Sequence, residues 1–188
     1  MNNKPVVTFL SIASLAMIFA SATVDAADAD ESIFTYNYVE GAFEYYGNDD
    51  NDSTIQRLTG SYEVNSKYNV LAEYAVGEDI DSDIKFDEVS LGAAYHKEVA
   101  DKTDLTTNLK LVYQDFDEGS SDTRLAAGVG VRHQLMDEVE VSADLDYNDG
   151  ARFKVGIRYY VSDELSAGAG FSASSGEEIA YFNLRWGF

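Results

Sequence analysis

Residues 180–188 read Ala-Tyr-Phe-Asn-Leu-Arg-Trp-Gly-Phe, with Ala180, Phe182, Leu184, Trp186 and Phe188 on every second position. Side chains of an extended chain alternate between two faces, so this period belongs to a strand with one apolar and one polar face. One such strand is not stable alone, so the rest of the chain must supply partners. It does. Leu125, Ala127, Val129, Val131, His133 and Leu135 alternate with Arg124, Ala126, Gly128, Gly130, Arg132 and Gln134. The same dyad runs through Val139–Tyr147, Phe153–Val161 and Leu165–Ala173, and in weaker form through 33–47, 54–65, 68–77, 84–98 and 105–116. With the terminal run these make about ten strands, an even number of the kind single-chain bacterial barrels use, with eight as the alternative. The single Pro is Pro5, which fits a chain otherwise made of paired strands.

The start of the chain reads differently. Lys4 precedes an apolar run over 6–20 broken by Thr8, Ser11 and Ser14, and Val24-Asp25-Ala26 supplies small residues for cleavage. This is the pattern of a secretory signal peptide, residues 1–26, leaving 27–188 as one barrel domain. Beyond it no apolar stretch approaches the ~20 residues of a membrane helix. The chain has no Cys, which excludes a lipid-anchored lipoprotein and a disulfide framework.

The connections fall into two sets that alternate along the chain. Residues 65–67, 99–103, 137–138 and 162–164 join strands at one end, and 48–53, 78–83, 117–122, 148–150 and 175–177 at the other. On the apolar face, Tyr62, Tyr68, Tyr95, Tyr159, Trp186 and Phe188 lie beside the first set. Tyr45, Tyr74, Phe86, Tyr113, Tyr147 and Phe153 lie toward the second. Two aromatic rows flanking an aliphatic band suit a barrel in a bilayer, because amphipathic rings favour the interface. The polar face mixes Gly128, Gly130, Gly156, Gly168 and Gly170 with long charged residues, which suits a cramped lumen rather than a solvated surface. The expected lumen charge network comprises Glu40, Glu44, Glu63, Glu73, Lys110, Arg124, Arg132, Glu140, Asp144, Arg152, Lys154, Arg158 and Arg185. These residues either line a narrow pore or pair across the interior and close it.

A cleaved signal, dyad strands, aromatic girdles and a terminal Phe together resemble small Gram-negative outer-membrane β-barrels of the OmpA/OmpX type. The size and signal are also similar to the short porins of the YfaZ type. The resemblance implies an all-β, antiparallel transmembrane barrel in the outer membrane, exported through the periplasm. It also implies that Phe182, Leu184, Trp186 and Phe188 form the assembly signal, and that the partners are outer-membrane lipids, lipopolysaccharide, periplasmic chaperones and the barrel-assembly machinery.

Chemistry-bearing motifs are sparse. Enzymes among such barrels carry His near the outer rim, whereas the two histidines here, His96 and His133, precede turns of the first set. No nucleophile–base pair is expected, and Ser120, Ser121, Ser174 and Ser175 read as turn residues. Asp49-Asp50-Asn51-Asp52, Asp79-Ile80-Asp81-Ser82-Asp83 and Asp146-Tyr147-Asn148-Asp149-Gly150 offer hard oxygens, but none completes a calcium loop. Loosely held divalent cations fit these loops; a resident metal or cofactor is not expected. The formal charge of -21 argues against nucleic acid as a partner. The reading is a non-enzymatic porin-like narrow channel or structural surface protein, with an adhesin-type barrel or a soluble calycin-like carrier as the alternatives.

Overall fold

The structure, a computed structural model, describes residues 33–47, 52–79, 84–117, 119–174 and 177–188. The expected signal peptide lies outside the described residues. Ten strands follow one another: β1 (Tyr38–Gly47), β2 (Asp52–Asn65), β3 (Tyr68–Asp79), β4 (Lys85–Ala100), β5 (Thr103–Phe116), β6 (Ser121–Met136), β7 (Val139–Tyr147), β8 (Ala151–Tyr160), β9 (Leu165–Ser174) and β10 (Glu177–Gly187). Each pairs antiparallel with its sequence neighbours, and β1 closes on β10 with Glu40 opposite Arg185 and Phe43 opposite Phe182. Closure leaves no unpaired edge, which is the condition for a sheet to cross hydrocarbon.

Three of the turns at the end where β1 begins and β10 ends contain two residues each, and each adjoins a register shift: Glu63/Asn65, Glu98/Ala100 and Gln134/Met136. Lys102, at φ 56°, takes the left-handed position in one of them.

The dyad sorts cleanly into outside and inside. Leu91, Leu109, Leu111, Leu125, Ile157 and Phe171 are all more than half exposed on the outer surface. So continuous an apolar surface is stable only against lipid. The inner face carries Glu, Arg, Ser, Asn and Gly, so the soluble carrier, which needs the faces reversed, is excluded. A closed antiparallel barrel with an even strand count, an apolar outside and a polar inside is the architecture of bacterial outer-membrane proteins, and this chain belongs in that membrane. We call the end with the two-residue turns, where β1 begins and β10 ends, the periplasmic end, and the other the outer rim.

Two features differ from expectation. Phe86 is not in the girdle: it points inward, over Gly77 and against Phe116, with ring centroids 6.0 Å apart. Its outward neighbours are Lys85 and Asp87, both exposed. Above the lipid band the outer face meets water, so the polarity of the dyad reverses there. The first strand also begins at Tyr38 rather than 33. Residues 33–37 leave the wall and turn into the periplasmic end of the lumen, where Phe34 and Tyr36 are 5% and 6% exposed.

Candidate functional site: the lumen

A cavity of about 850 Å³ runs inside the barrel, from Asn148–Arg152, Ser174 and Glu177 at the outer rim to Tyr36, His96, Arg132 and Glu140 near the periplasmic end. Glycines on the inner face make room for larger neighbours. Tyr181 of β10 lies over Gly156 and Gly170, and its hydroxyl donates to the Val155 carbonyl at 3.1 Å. Asp144 and Asp146 occupy the space beside Gly130 and Gly128. Any side chain at these glycines would collide with that packing, which accounts for Gly within strands that otherwise disfavour it.

The first charge network bands the wall from β1 to β6. Arg57 of β2 lies 3.1 Å from Glu44 of β1, 3.8 Å from Glu73 of β3 and 2.9 Å from Glu88 of β4. Glu73 also accepts from Lys110 Nζ at 2.8 Å and from Ser90 Oγ at 3.0 Å. Glu88 bridges onward to Arg124 at 3.0 Å, and Arg124 donates to Gln114 and Asn148. Six successive strands thus contribute three carboxylates and three cations, each within reach of at least one opposite charge.

The second network sits lower. Glu40 Oε2 accepts from Arg158 Nη2 at 2.7 Å and Arg185 Nε at 2.8 Å, joining β1 to β8 and β10. Arg132 forks onto Glu140 at 2.9 and 2.7 Å, and the Tyr160 hydroxyl donates to the same carboxylate. Charge-assisted, two-pronged bonds of this kind hold side chains in fixed positions. Tyr36 completes this layer: its hydroxyl donates to Asp104 at 2.7 Å and its ring stacks on His96 at 3.5 Å.

Of the expected lumen residues, Glu40, Glu44, Glu73, Lys110, Arg124, Arg132, Glu140, Arg158 and Arg185 fall into these two networks. Asp144 and Lys154 line the cavity, and Lys154 Nζ sits 4.2 Å above the Tyr181 ring. Arg152 pairs with Glu177 at 3.3 Å and faces the Tyr46 ring. Glu63 is the exception: it does not line the cavity and enters none of the ion pairs among the described residues. It keeps the inner row, opposite Asn69, but sits at the last position before the bulge, past the end of the cavity.

Tyr68, Tyr113, Tyr147, Phe153, Tyr159, Trp186 and Phe188 are exposed on the outer surface, as is Tyr45. Tyr95 packs on Tyr68 at 5.2 Å, the Tyr74 hydroxyl donates to Asp87, and Tyr62 lies opposite Val70 on the same face. Phe182 and Leu184 share the outward row with Trp186. Of the acidic stretches 49–52 and 79–83, all but Asp52 and Asp79, which lie at strand ends, fall outside the described residues. No cluster of three metal-ligating side chains occurs among the described ones.

Sequence reading missed Arg57, Glu88, Phe34, Tyr36 and Asp104 as lumen residues. Arg57 and Glu88 sit on strands whose outward rows contain Thr54, Gln56 and Asp87, so the dyad there is blurred. Phe34 and Tyr36 precede the wall entirely. The one available signal was the alternation of Phe34, Tyr36 and Tyr38, which continues the inner row of β1 rather than its outer one.

No protein-family model matches the chain, and no curated protein matches it significantly. Among solved structures it is similar to KdgM porin, with a TM-score of 0.47 and 10% identity over 80% of this chain and 99% of that one. It is also similar to neisserial surface protein A (TM-score 0.41, 14% identity, 80% and 95% covered). A third is the Acinetobacter baumannii outer membrane protein Omp33 (TM-score 0.41, 13% identity, 84% and 100% covered).

Proposed function

We propose that this barrel is a narrow, non-enzymatic, porin-like pore of the outer membrane, shut at rest toward the periplasm. The cavity of about 850 Å³ carries this reading, because charged side chains line it from rim to floor. A barrel that served only as an anchor would have its interior filled by side chains, as barrels of about eight strands do. Two networks of charge hold the side chains against the wall and keep the centre open to water, which is how a polar pore presents itself to ions and small solutes. Neither histidine supports catalysis. His96 is buried beneath Tyr36, and His133 Nδ1 is engaged with Thr103 Oγ1 at 2.9 Å. Trp186 and Phe188 face outward, where the assembly machinery would meet them, and the acidic rim would meet divalent cations shared with lipopolysaccharide.

Planar-bilayer recording tests the reading. The expected result is a small conductance with brief openings, together with slow passage of small polar solutes into vesicles. A folded barrel that passes no current at any voltage, either intact or after removal of residues before Tyr38, overturns it.

A further inference from the structure

We infer that residues 33–37 are a built-in plug, and that their seating in the periplasmic mouth closes the lumen. The inference rests on the pore reading for its consequence and on separate geometry for its mechanism. Tyr36 precedes β1, whose neighbours are β10 and β2, yet its side chain meets the opposite wall. It stacks on His96 of β4, donates to Asp104 of β5 and lies 5.1 Å from the Arg132 guanidinium of β6. A segment that touches both walls at one level crosses the opening between them.

Phe34 adds the apolar body of the plug. It is 5% exposed while Ile33, next to it, is 52% exposed, so the chain passes from solvent to interior within one residue. The Arg132 guanidinium lies over the Phe34 ring at 4.5 Å, a cation–π contact that seats an apolar ring in a charged lumen. The backbone is held as well. Ser61 Oγ donates to the Tyr36 carbonyl at 2.6 Å, and the Glu63 amide donates to Asn37 Oδ1 at 2.7 Å. Beneath this cover Ser61, His96 and Asp104 are almost wholly buried although they lie on the lumen face.

The attachment is built to release. The plug is five residues long, adds no strand to the sheet, and is joined to the wall by single side-chain bonds, ring contacts and one backbone bond, from the Phe188 amide to the Asn37 carbonyl at 3.1 Å. Its removal costs that one backbone bond and leaves the ladder intact, since the β1 pairings begin at Tyr38. Short segments with few backbone bonds open at lower free energy than the sheet they rest on. The plug therefore opens more readily than the sheet beneath it, and its position sets whether the cavity communicates with the periplasm.

The test compares the intact mature chain with one beginning at Tyr38, and with Phe34→Ala/Tyr36→Ala, which keeps the backbone in place. Each is refolded and shown to be a barrel by its gel mobility before and after boiling. Two readouts are taken: conductance, and the rate at which a maleimide labels Ser61→Cys in each background. The chain has no other Cys, so one site reports. Both plug variants should label several-fold faster than the intact chain and conduct several-fold more. Labelling at the same rate in all three overturns the plug, whatever the current. Faster labelling with no current in any of them upholds the plug and overturns the pore.

Discussion

Replacing Glu40 by Gln separates a dry, locked lumen floor from a wet one. Glu40 Oε2 alone receives Arg158 at 2.7 Å and Arg185 at 2.8 Å, and the three side chains are 13%, 9% and 13% exposed. Gln has the same size and keeps an acceptor but removes the charge, leaving two guanidinium groups side by side. Breaking a buried pair by removing one partner costs about 3–5 kcal/mol. The cavity above admits some water, so the lower bound applies, about 3 kcal/mol, or roughly a hundredfold in the folded-to-unfolded ratio. Urea titration of the refolded barrel, followed by the mobility difference between boiled and unboiled samples, measures this. Glu138→Gln, in an exposed two-residue turn, serves as the control and should stay within about 0.5 kcal/mol of wild type. Adding Arg158→Gln to Glu40→Gln removes one of the two stranded cations and should recover part of the loss. If Glu40→Gln matches the control, the pair is solvated and the floor of the lumen does not depend on it.

Ile157→Arg puts a charge on the outer face, 55% exposed in the aliphatic band. Folding into vesicles should fall by about 2–4 kcal/mol, whereas Arg at Glu138 should leave it unchanged. Insertion unaffected by Ile157→Arg would mean that this surface does not face lipid. Gly170→Val drives a side chain into Tyr181 and the Val155 carbonyl; overpacking of this kind costs about 1–3 kcal/mol, and the urea midpoint should drop accordingly. Adding Tyr181→Ala should restore much of it, and no recovery would mean that backbone contact, not the ring, sets the glycine requirement.

The barrel was legible because lipid and lumen impose opposite polarities on one period of two. Where both apply, as on β6 through β10, every residue from Arg124 to Trp186 that alternation assigned to a face lies on that face. The signal fails where one of the two environments changes. At Lys85–Asp87 the outside has become water, so Phe86 turned inward against the pattern. Glu63 keeps its inward parity opposite Asn69 but lies beyond the end of the cavity, where alternation alone assigns no ion partner. Partner choice was less legible than face. Arg158 and Arg185 meet Glu40 around the β1–β10 seam, Arg124 meets Glu88 two strands away, and Arg132 meets Glu140 of the next strand. Which charges meet depends on stagger around the closed sheet, and alternation carries no information about stagger. The plug was invisible for another reason: Phe34 and Tyr36 extend the dyad of β1, and nothing in five residues says that the chain has left the wall.

The charge is distributed so that entry and passage are governed by different residues. The chain carries 13 Lys and Arg against 34 Asp and Glu, yet eight of those cations line the cavity: Arg57, Lys110, Arg124, Arg132, Arg152, Lys154, Arg158 and Arg185. Ten acids line it with them, so the lumen is close to neutral and the surplus negative charge falls on rims and turns. A field from the rims concentrates cations at the mouths but is screened within about 30 Å at 0.01 M salt and about 3 Å at 1 M. Reversal potentials of the conducting barrel should therefore show cation preference at low salt that shrinks as salt rises. What remains at 1 M should respond to lumen substitutions such as Lys154→Gln, which removes a cation engaged with the Tyr181 ring and should move the residual selectivity toward cations. A preference that stays constant from low to high salt would place its source inside the lumen, and the rims would then have no part in choosing the ion.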